Sequence, residues 1–498
     1  GNSQLDEGEI SSISFSNNQA QVDLGEGNSD DTFMMIINSP FPSQQTVSIS
    51  LNSLSGSLSS LTMEEGLEEE ESLLVDEFSA EGFHARLRDL ENEIKDEAGS
   101  DDDTLSSLTL QASQADKQLG DINYFKVLSS LSSLSQSAYV KAELRFKSDT
   151  LYVYADLNSP DALTDADIKR LASDFQDIAV PYERDDFGNE SDLNGDGHIT
   201  ILMTPVINQM STSGGIITGF FFPGDLVCSQ NSSTASNCQE IFYTLVPDPD
   251  GEYGNRLSVS FVVDQILPGV LAHEYEHMIS FNERVLERKG SPEVSWLEEG
   301  KAHFAEDLTG FSLENFSRVK ICLDSINSIS LTSAGSAGLA VRGCSYLLLR
   351  YLYEQSDDGD AFMNRLINTT ERGTDNLEAA FAGSDPDFDD FNEFYSRWTI
   401  ALALTDTGLT DDPRFTYQSM TTHPQTGLPS GICLICNAPD SRGTRLTGPK
   451  FTSLSGSNPT LTVKPTSAHF VQFTRPSSPL VLRGTTGSEL SGYVVPLN

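Results

Sequence analysis

Two histidines four residues apart, with a glutamate directly after the first, most constrain what this chain can fold into. They are His273, Glu274 and His277, in GVLAHEYEHMISF, residues 269–281. Pro268 suits a first helical turn, and the residues after it predict a helix that runs to about residue 290. Because residues four apart share a helix face, both imidazoles can reach one metal ion, with Glu274 on an adjacent face. A buried stripe of packed histidines is the alternative.

A second predicted helix, SWLEEGKAHFAED at 295–307, strengthens the metal interpretation. A catalytic zinc takes three protein ligands and keeps one position open, and Glu299 can supply the third. Two helical turns later, Glu306 lies on nearly the same face, where a carboxylate can hold the free N–H of a ligand histidine. The two segments together predict a zinc site in which Glu274 takes a proton from metal-bound water.

These residues resemble a known group. HEYEH followed about twenty residues later by WLEEGKAHFAED looks like the gluzincin metallopeptidases, and most closely the hyicolysin-type secreted neutral metallopeptidases. The similarity extends through LGDINYF, DLNGDGHITILMTPV, SNCQEIFY and CSYLLLRYL, roughly residues 117–420. The resemblance implies a zincin-like domain in which the zinc ligands are His273, His277 and Glu299 and the general base is Glu274. It also implies that Glu306 holds the free N–H of a ligand histidine.

The chain departs from that group at two places. Glu298 replaces the usual Asn before the ligand glutamate, so Glu299 is chosen for its place directly before Gly300. A tyrosine that stabilises the oxyanion in related gluzincins has no counterpart, because Ala340 stands at the corresponding position. Arg342 and Tyr346 are the candidates for that role, with a structural role as the alternative for each. His303 belongs to the pattern and can contact substrate, support a ligand or simply pack.

The composition limits the partners. The chain has 498 residues, with 74 acidic against 30 basic side chains and a formal charge of -44. Such a surface repels a phosphate backbone, so nucleic acid is excluded as a partner. The sequence contains no run of about 18 apolar residues, so no membrane-spanning helix is predicted. We expect a monomer that acts on a protein or peptide, secreted or on the extracellular surface, with attachment by a lipid left open.

Six cysteines predict an oxidising compartment. The local pairs are Cys228 with Cys238, Cys322 with Cys344, and Cys433 with Cys436, one of fifteen possible connectivities. A structural zinc at the CxxC of residues 433–436 is the alternative, although it lacks the second pair of ligands that such sites need.

Hydrophobic patterning predicts an α+β fold. Alternating apolar and polar residues near both ends predict strands, and helical periodicity dominates the middle. The expected zincin-like catalytic domain combines a small mixed sheet with the two motif helices, between β-sandwich-like modules. The predicted divisions are an N-terminal β-rich domain (1–62 and 104–158), an acidic linker or insertion (63–103), a zinc metallopeptidase domain (159–428) and a C-terminal β module (429–498).

A further motif, D-x-N-x-D-G, is formed by Asp192, Asn194 and Asp196. It matches the first half of a calcium loop, but Met203 at the twelfth position excludes an EF-hand. A partial Ca²⁺ site and a plain acidic turn both remain open.

The sequence therefore favours a zinc-dependent endopeptidase. One alternative is a cell-surface binding or adhesion protein with a structural or degenerate zinc site, motivated by the flanking β regions and the missing tyrosine. An aminopeptidase is a third option, for which Glu240 is the only candidate to grip a free N-terminus. His198, His423 and His469 are isolated and carry no functional prediction.

Overall fold

The structure is a computed structural model. It describes residues 9–22, 24–43, 45–52, 80–95, 117–211, 215–228, 236–332, 338–384, 390–452, 459–485 and 489–497. Most of the predicted acidic segment 63–103 therefore lies outside the described residues.

Strands cluster near the two ends of the chain and before the first motif helix. They are β1 (Ser11–Ile13), β2 (Gln19–Val22), β3 (Thr32–Asn38), β4 (Val47–Asn52), β5 (Ile122–Leu128), β6 (Ser137–Lys147), β7 (Leu151–Asp156), β8 (Ile199–Met203), β9 (Gly219–Phe221), β10 (Ile241–Thr244), β11 (Thr421–Thr422), β12 (Pro429–Ser430), β13 (Thr460–Val463), β14 (Ala468–Thr474), β15 (Leu480–Gly484) and β16 (Ser491–Pro496).

Helices fill the middle of the chain. They are α1 (Ala80–Ile94), α2 (Asp165–Asp174), α3 (Val180–Asp186), α4 (Pro205–Met210), α5 (Leu267–Phe281), α6 (Ser295–Leu308), α7 (Asn315–Ser325), α8 (Leu339–Gln355), α9 (Gly359–Ile367), α10 (Gly373–Phe381) and α11 (Phe391–Leu404). Together with the strands they confirm the α+β class.

Strands from the two ends of the chain form one β-sandwich. One four-stranded sheet has the order β1-β16-β3-β14, and the other has the order β13-β4-β15-β2. Ile37, Ile49 and Leu482 belong to the apolar core that the two sheets share. We expected separate N-terminal and C-terminal modules, so this strand pairing corrects the prediction. Alternation identifies a strand but not its partner, because pairing is decided by contacts between residues far apart in sequence.

A mixed six-stranded sheet supports the middle of the chain. Its order is β5-β6-β7-β8-β10-β9, and β7, β8 and β10 are mutually parallel. All five residues of β8 are buried, as expected for a strand covered on both faces. The prediction placed β5 to β7 in the N-terminal β-rich domain, whereas here they belong to the same sheet as β8, through the pairing of β7 with β8. Strand β9 forms one edge of this sheet.

Helix α1 lies within the segment predicted to be an exposed acidic insertion. The structure instead buries one side of it, with Phe83 and Leu87 fully inaccessible. The Phe83 ring packs edge-on against Phe220 of β9, with centroids 5.1 Å apart. The acidic composition concealed an amphipathic helix, whose apolar residues recur at helical spacing between the charges.

Three disulfides join the predicted pairs, Cys228–Cys238, Cys322–Cys344 and Cys433–Cys436. The second connects α7 to α8. The alternative of a zinc ion on the CxxC cysteines is wrong, because their sulfurs are bonded to each other. Among the described helices, none is both long enough and apolar enough to cross a membrane.

Candidate metal centre and active-site cleft

Helix α5 carries the two motif histidines on one face. The predicted helix is continuous, but turns of π-helix precede and follow the α-helical part, at Phe261–Ile266 and Asn282–Glu287. The rings of His273 and His277 lie 4.9 Å apart between centroids and nearly perpendicular. All but one of the fifteen α5 residues are buried, so the surrounding core fixes the helix and both rings.

The outer nitrogens of both rings face one carboxylate on α6. His273 Nε2 lies 3.5 Å from Glu299 Oε2, and His277 Nε2 lies 3.9 Å from Glu299 Oε1. These separations are too long for strong hydrogen bonds and suit three atoms arranged around an ion, each about 2 Å from it. The helix pair thus brings together the three residues that the sequence predicted as ligands.

The inner nitrogens each meet a second carboxylate. His273 Nδ1 lies 2.8 Å from Glu306 Oε1, as expected for a carboxylate that orients a ligand histidine. His277 Nδ1 lies 3.3 Å from Glu298 Oε1. Glu298, noted in the sequence only as a departure from the expected Asn, therefore supports the second histidine as Glu306 supports the first.

A buried lysine stabilises Glu298 in its charged form. Lys301 Nζ lies 2.8 Å from Glu298 Oε2 and 3.0 Å from Glu276 Oε1, and it donates to the Ser280 hydroxyl. Burial opposes ionisation of Glu298, but Lys301 and His277 together hold the pKa of its carboxyl well below the usual range. A buried charge requires such a partner, because its transfer from water is otherwise costly.

The residues present fit a divalent metal ion. His277 Nε2 and Glu299 Oε1 are buried and have no hydrogen-bond partner among the described residues, whereas Glu299 Oε2 lies 2.9 Å from Arg342 Nη1. Buried polar atoms are seldom left unpaired, since each costs about 1–3 kcal/mol. Two imidazoles and one carboxylate are a donor set that zinc accepts. Two further groups with spacing suitable for a metal, His273–His303–Glu306 and Glu276–His277–Glu298, share residues with this one.

Local charges reinforce this arrangement. Burial opposes ionisation of Glu299, but Arg342, His273 and His277 hold its pKa well below the usual range. Burial by itself would raise the pKa of Glu306. The neighbouring His303 and His273 outweigh this effect and lower the pKa to about 2. Both carboxylates are therefore ionised at neutral pH.

Glu274 is fixed by the edge strand β9. Its Oε2 accepts the Phe221 N–H at 2.8 Å, and the side chain lines a cleft beside His273. Close approach of β9 to α5 requires Gly219, because a Cβ there would lie 2.8 Å from Val270 Cγ1. The edge strand and the base candidate therefore form one wall.

The cleft holds about 360 Å³. Its lining includes His273, Glu274, His303 and Glu306 together with Glu81 and His84 of α1. It is large enough for a few residues of an extended chain, and Thr218, directly before the edge strand β9, also lines it. Helix α1 was missed as a cleft element because its sequence resembles a solvated acidic stretch.

Arg342 and Tyr346, predicted as alternatives for oxyanion stabilisation, lie in different places. Arg342 lines the cleft, with Nη1 2.9 Å from Glu299 Oε2. Tyr346 does not line it and is instead buried beside Asp307, whose charge and hydrogen bond add to burial in raising the pKa of its hydroxyl. This buried position fits the structural role that was the alternative for Tyr346.

Two glycines allow the helices to approach closely enough for these contacts. A Cβ at Gly343 would lie 2.0 Å from the Arg318 carbonyl oxygen on α7, and one at Gly300 would lie 2.1 Å from Ser345 Oγ on α8. Each glycine directly follows a site residue, Arg342 or Glu299. The absence of a side chain therefore sets the distance between the helices that hold the site.

The predicted calcium motif forms a self-contained turn. Asp192 Oδ1 accepts the Gly197 N–H at 3.1 Å, Asn194 Oδ1 accepts the Asp196 N–H at 3.0 Å, and Asp196 Oδ2 lies 3.5 Å from Lys117 Nζ. These contacts are those of a plain acidic turn, and calcium binding there stays a prediction.

Glu240 supports the same region. Its Oε1 accepts the Leu193 N–H and the Ser191 hydroxyl, and the residue does not line the cleft. This position removes the one hint of a group for a free N-terminus. The isolated histidines are accounted for by local contacts, His198 stacking on Tyr152, His423 packing near Tyr182, and His469 lying 3.0 Å from the Thr462 carbonyl.

Comparison with known proteins gives one informative relative. The neutral metalloprotease ShpI of Staphylococcus hyicus is 25% identical over 295 residues, which cover 58% of this chain and 64% of the relative. The chain thus spans a little under two thirds of that protein's length. No protein-family profile matches. The similarity is therefore to a metalloprotease, and the clustered histidines and glutamates of this chain are residues that could hold a metal ion.

Proposed function

We propose that this protein is a zinc-dependent endopeptidase that hydrolyses peptide bonds in unfolded or extended substrates. The observation that carries the proposal is the convergence of His273 Nε2, His277 Nε2 and the Glu299 carboxylate next to a cleft that Glu274 also lines. Zinc at this position would polarise a peptide carbonyl and lower the pKa of a bound water.

The protein groups have separable roles in this proposal. Glu274 Oε2 accepts the Phe221 N–H, so Oε1 is the oxygen that takes a proton from the water and passes it to the leaving amine. Glu306 and Glu298 orient the two ligand histidines. Arg342, which lines the cleft, is the candidate for stabilising negative charge on the attacked carbonyl.

An extracellular location fits the three disulfides, and it is part of the proposal. The cleft also favours an enzyme over an adhesion protein with a structural metal. A structural zinc is closed by four protein ligands, whereas the group formed by the described residues has three, one of which, His273, lines the cavity.

The test compares Glu274→Gln with Glu287→Gln, a change at an exposed glutamate on the π-helical turn after α5. Metal content is measured by mass spectrometry and hydrolysis with unfolded casein. We expect stoichiometric zinc in both variants, parent-like hydrolysis by Glu287→Gln, and a loss of about 10² to 10⁴-fold for Glu274→Gln. Casein cleavage by Glu274→Gln at the parent rate, or a chelator-insensitive parent, would refute the proposal.

A further inference from the structure

One wall of the cleft is cationic. Arg318 of α7, Arg342 of α8 and Arg442 all line the same cavity as His273 and Glu274. Arg342 pairs with Glu299. Arg318 and Arg442 instead meet at a single carboxylate, Glu314: Arg318 Nη2 lies 3.4 Å from Glu314 Oε2, and Arg442 Nη1 contacts Glu314 Oε1. In a chain of formal charge -44, such a concentration of guanidinium groups is unexpected.

Two guanidinium groups sharing one carboxylate retain unused binding capacity. Each arginine offers five N–H donors, and Arg318 Nε is buried without a hydrogen-bond partner among the described residues. Glu81 of α1 also lines the cleft, but it makes no ion pair within 4 Å with a described residue. Burial and the neighbouring Arg342 lower the pKa of Arg318, so a further carboxylate would relieve an unfavourable environment.

Arg442 lies on a loop that hydrogen bonds and a disulfide hold in place. Asp440 Oδ1 accepts the N–H groups of Arg442 and Thr444, at 3.0 and 2.6 Å. The Arg442 guanidinium lies 5.9 Å from the centre of the Phe261 ring. The preceding Cys433–Cys436 disulfide and the bond from the Leu434 N–H to Asp406 Oδ2, at 2.7 Å, anchor the start of the loop.

We propose that Arg318 and Arg442 form a basic subsite that binds a carboxylate of the peptide substrate near the bond to be cleaved. The proposal rests on the proposed peptidase function and adds a substrate class to it. The carboxylate is either an Asp or Glu side chain or the free C-terminus of a short peptide. Guanidinium groups recognise both through paired N–H donors.

The primary test uses matched quenched-fluorescence peptides with one scissile bond. Glu is compared with Gln at each of three positions on either side of that bond, with the C-terminus amidated. A second pair has Gln throughout and differs only in a free or amidated C-terminus. We expect the parent to favour one carboxylate-bearing peptide by about tenfold in kcat/KM, mainly through KM. Preference for an internal Glu identifies a side-chain subsite, and preference for the free C-terminus identifies the terminal carboxylate.

The variants are Arg318→Gln and Arg442→Gln, with Arg445→Gln as the matched control. Arg445 lies on the same loop, is exposed and does not line the cleft. Each subsite variant should reduce the ratio of kcat/KM for the carboxylate peptide to kcat/KM for the Gln peptide about fivefold or more, whatever its effect on the Gln peptide alone, and the Arg445→Gln control should keep the parent ratio. A parent preference below about twofold at every position, or a subsite variant that retains the full preference, would overturn the proposal.

Binding separates this inference from the proposed activity. In a Glu274→Gln background, fluorescence anisotropy should show tighter binding of the preferred carboxylate peptide than of its Gln or amide partner, and Arg442→Gln should abolish the difference. If the parent cleaves no peptide yet this binding difference holds, the peptidase proposal fails and the basic subsite stands. If both peptides are cleaved and bound equally, the subsite fails and the peptidase proposal stands.

Discussion

Asp186, at the C-terminal end of α3, should destabilise the protein at neutral pH. The side chain is buried, and Oδ2 has no hydrogen-bond partner among the described residues. Burial, followed by the charges of Asp360, Asp185 and Asp358, raises its pKa from 3.8 to about 7. A proton is therefore bound more tightly in the folded chain than in the unfolded one.

The sign of the pH dependence follows from this difference. Between about pH 4 and pH 7 the folded state binds more protons at this residue, so the free energy of unfolding falls as the pH rises through that window. A shift of about three pKa units corresponds to an upper limit of roughly 4 kcal/mol. Side-chain relaxation and water penetration reduce the expected effect to about 1–2 kcal/mol.

We therefore expect Asp186→Asn to be about 1–2 kcal/mol more stable than the parent at pH 8, with little gain at pH 4. Urea unfolding at both pH values measures the difference. Asp185→Asn, at the exposed neighbour on the same helix, removes only one of the charges that raise the pKa of Asp186, so its gain should be clearly smaller. An equal gain for the two variants, or a gain for Asp186→Asn that does not grow with pH, would refute the reasoning.

Two further predictions concern Glu306 and Lys301, which support the candidate ligand histidines directly or through Glu298. Glu306→Gln should leave the fold intact and weaken zinc binding about 10- to 100-fold, because the glutamine no longer presents a charged acceptor to His273 Nδ1. Competition with a chelator measures the zinc affinity. An unchanged affinity would exclude an orienting role for Glu306. Lys301→Met should lower the free energy of unfolding by about 3–5 kcal/mol, because Glu276 and Glu298 are left buried without their cation. The control Lys169→Met, on the surface of α2, should change the free energy of unfolding by less than about 0.5 kcal/mol. Thermal unfolding distinguishes the two variants.

The candidate ligand set was predictable because its information is local. Residues four apart on a helix must share a face, so His273 and His277 were placed together before any tertiary contact was known. Glu299 followed from a second short motif. Glu274 also lies where the motif predicts, beside the histidines and on the cleft wall.

Other residues of the site had no usable local pattern. Lys301 could have been suspected from its i,i+3 spacing to Glu298, although the same spacing is common on solvated helices. Arg442 and α1 gave no signal, because each reaches the cleft from a segment far from the motif helices in sequence. Tyr346 lies on a helix that was recognised correctly, and its burial fits the structural role that was left open for it.

The sequence by itself determined the secondary structure near the motifs, the disulfide pairs and the identity of the candidate metal donors, since each depends on spacing along a short stretch of chain. Only the tertiary structure decided that strands from both ends form one sandwich, that α1 walls the cleft and that Arg318 and Arg442 meet at Glu314. These features arise from packing between distant segments, where the burial of apolar faces and the pairing of charges select among many locally acceptable arrangements.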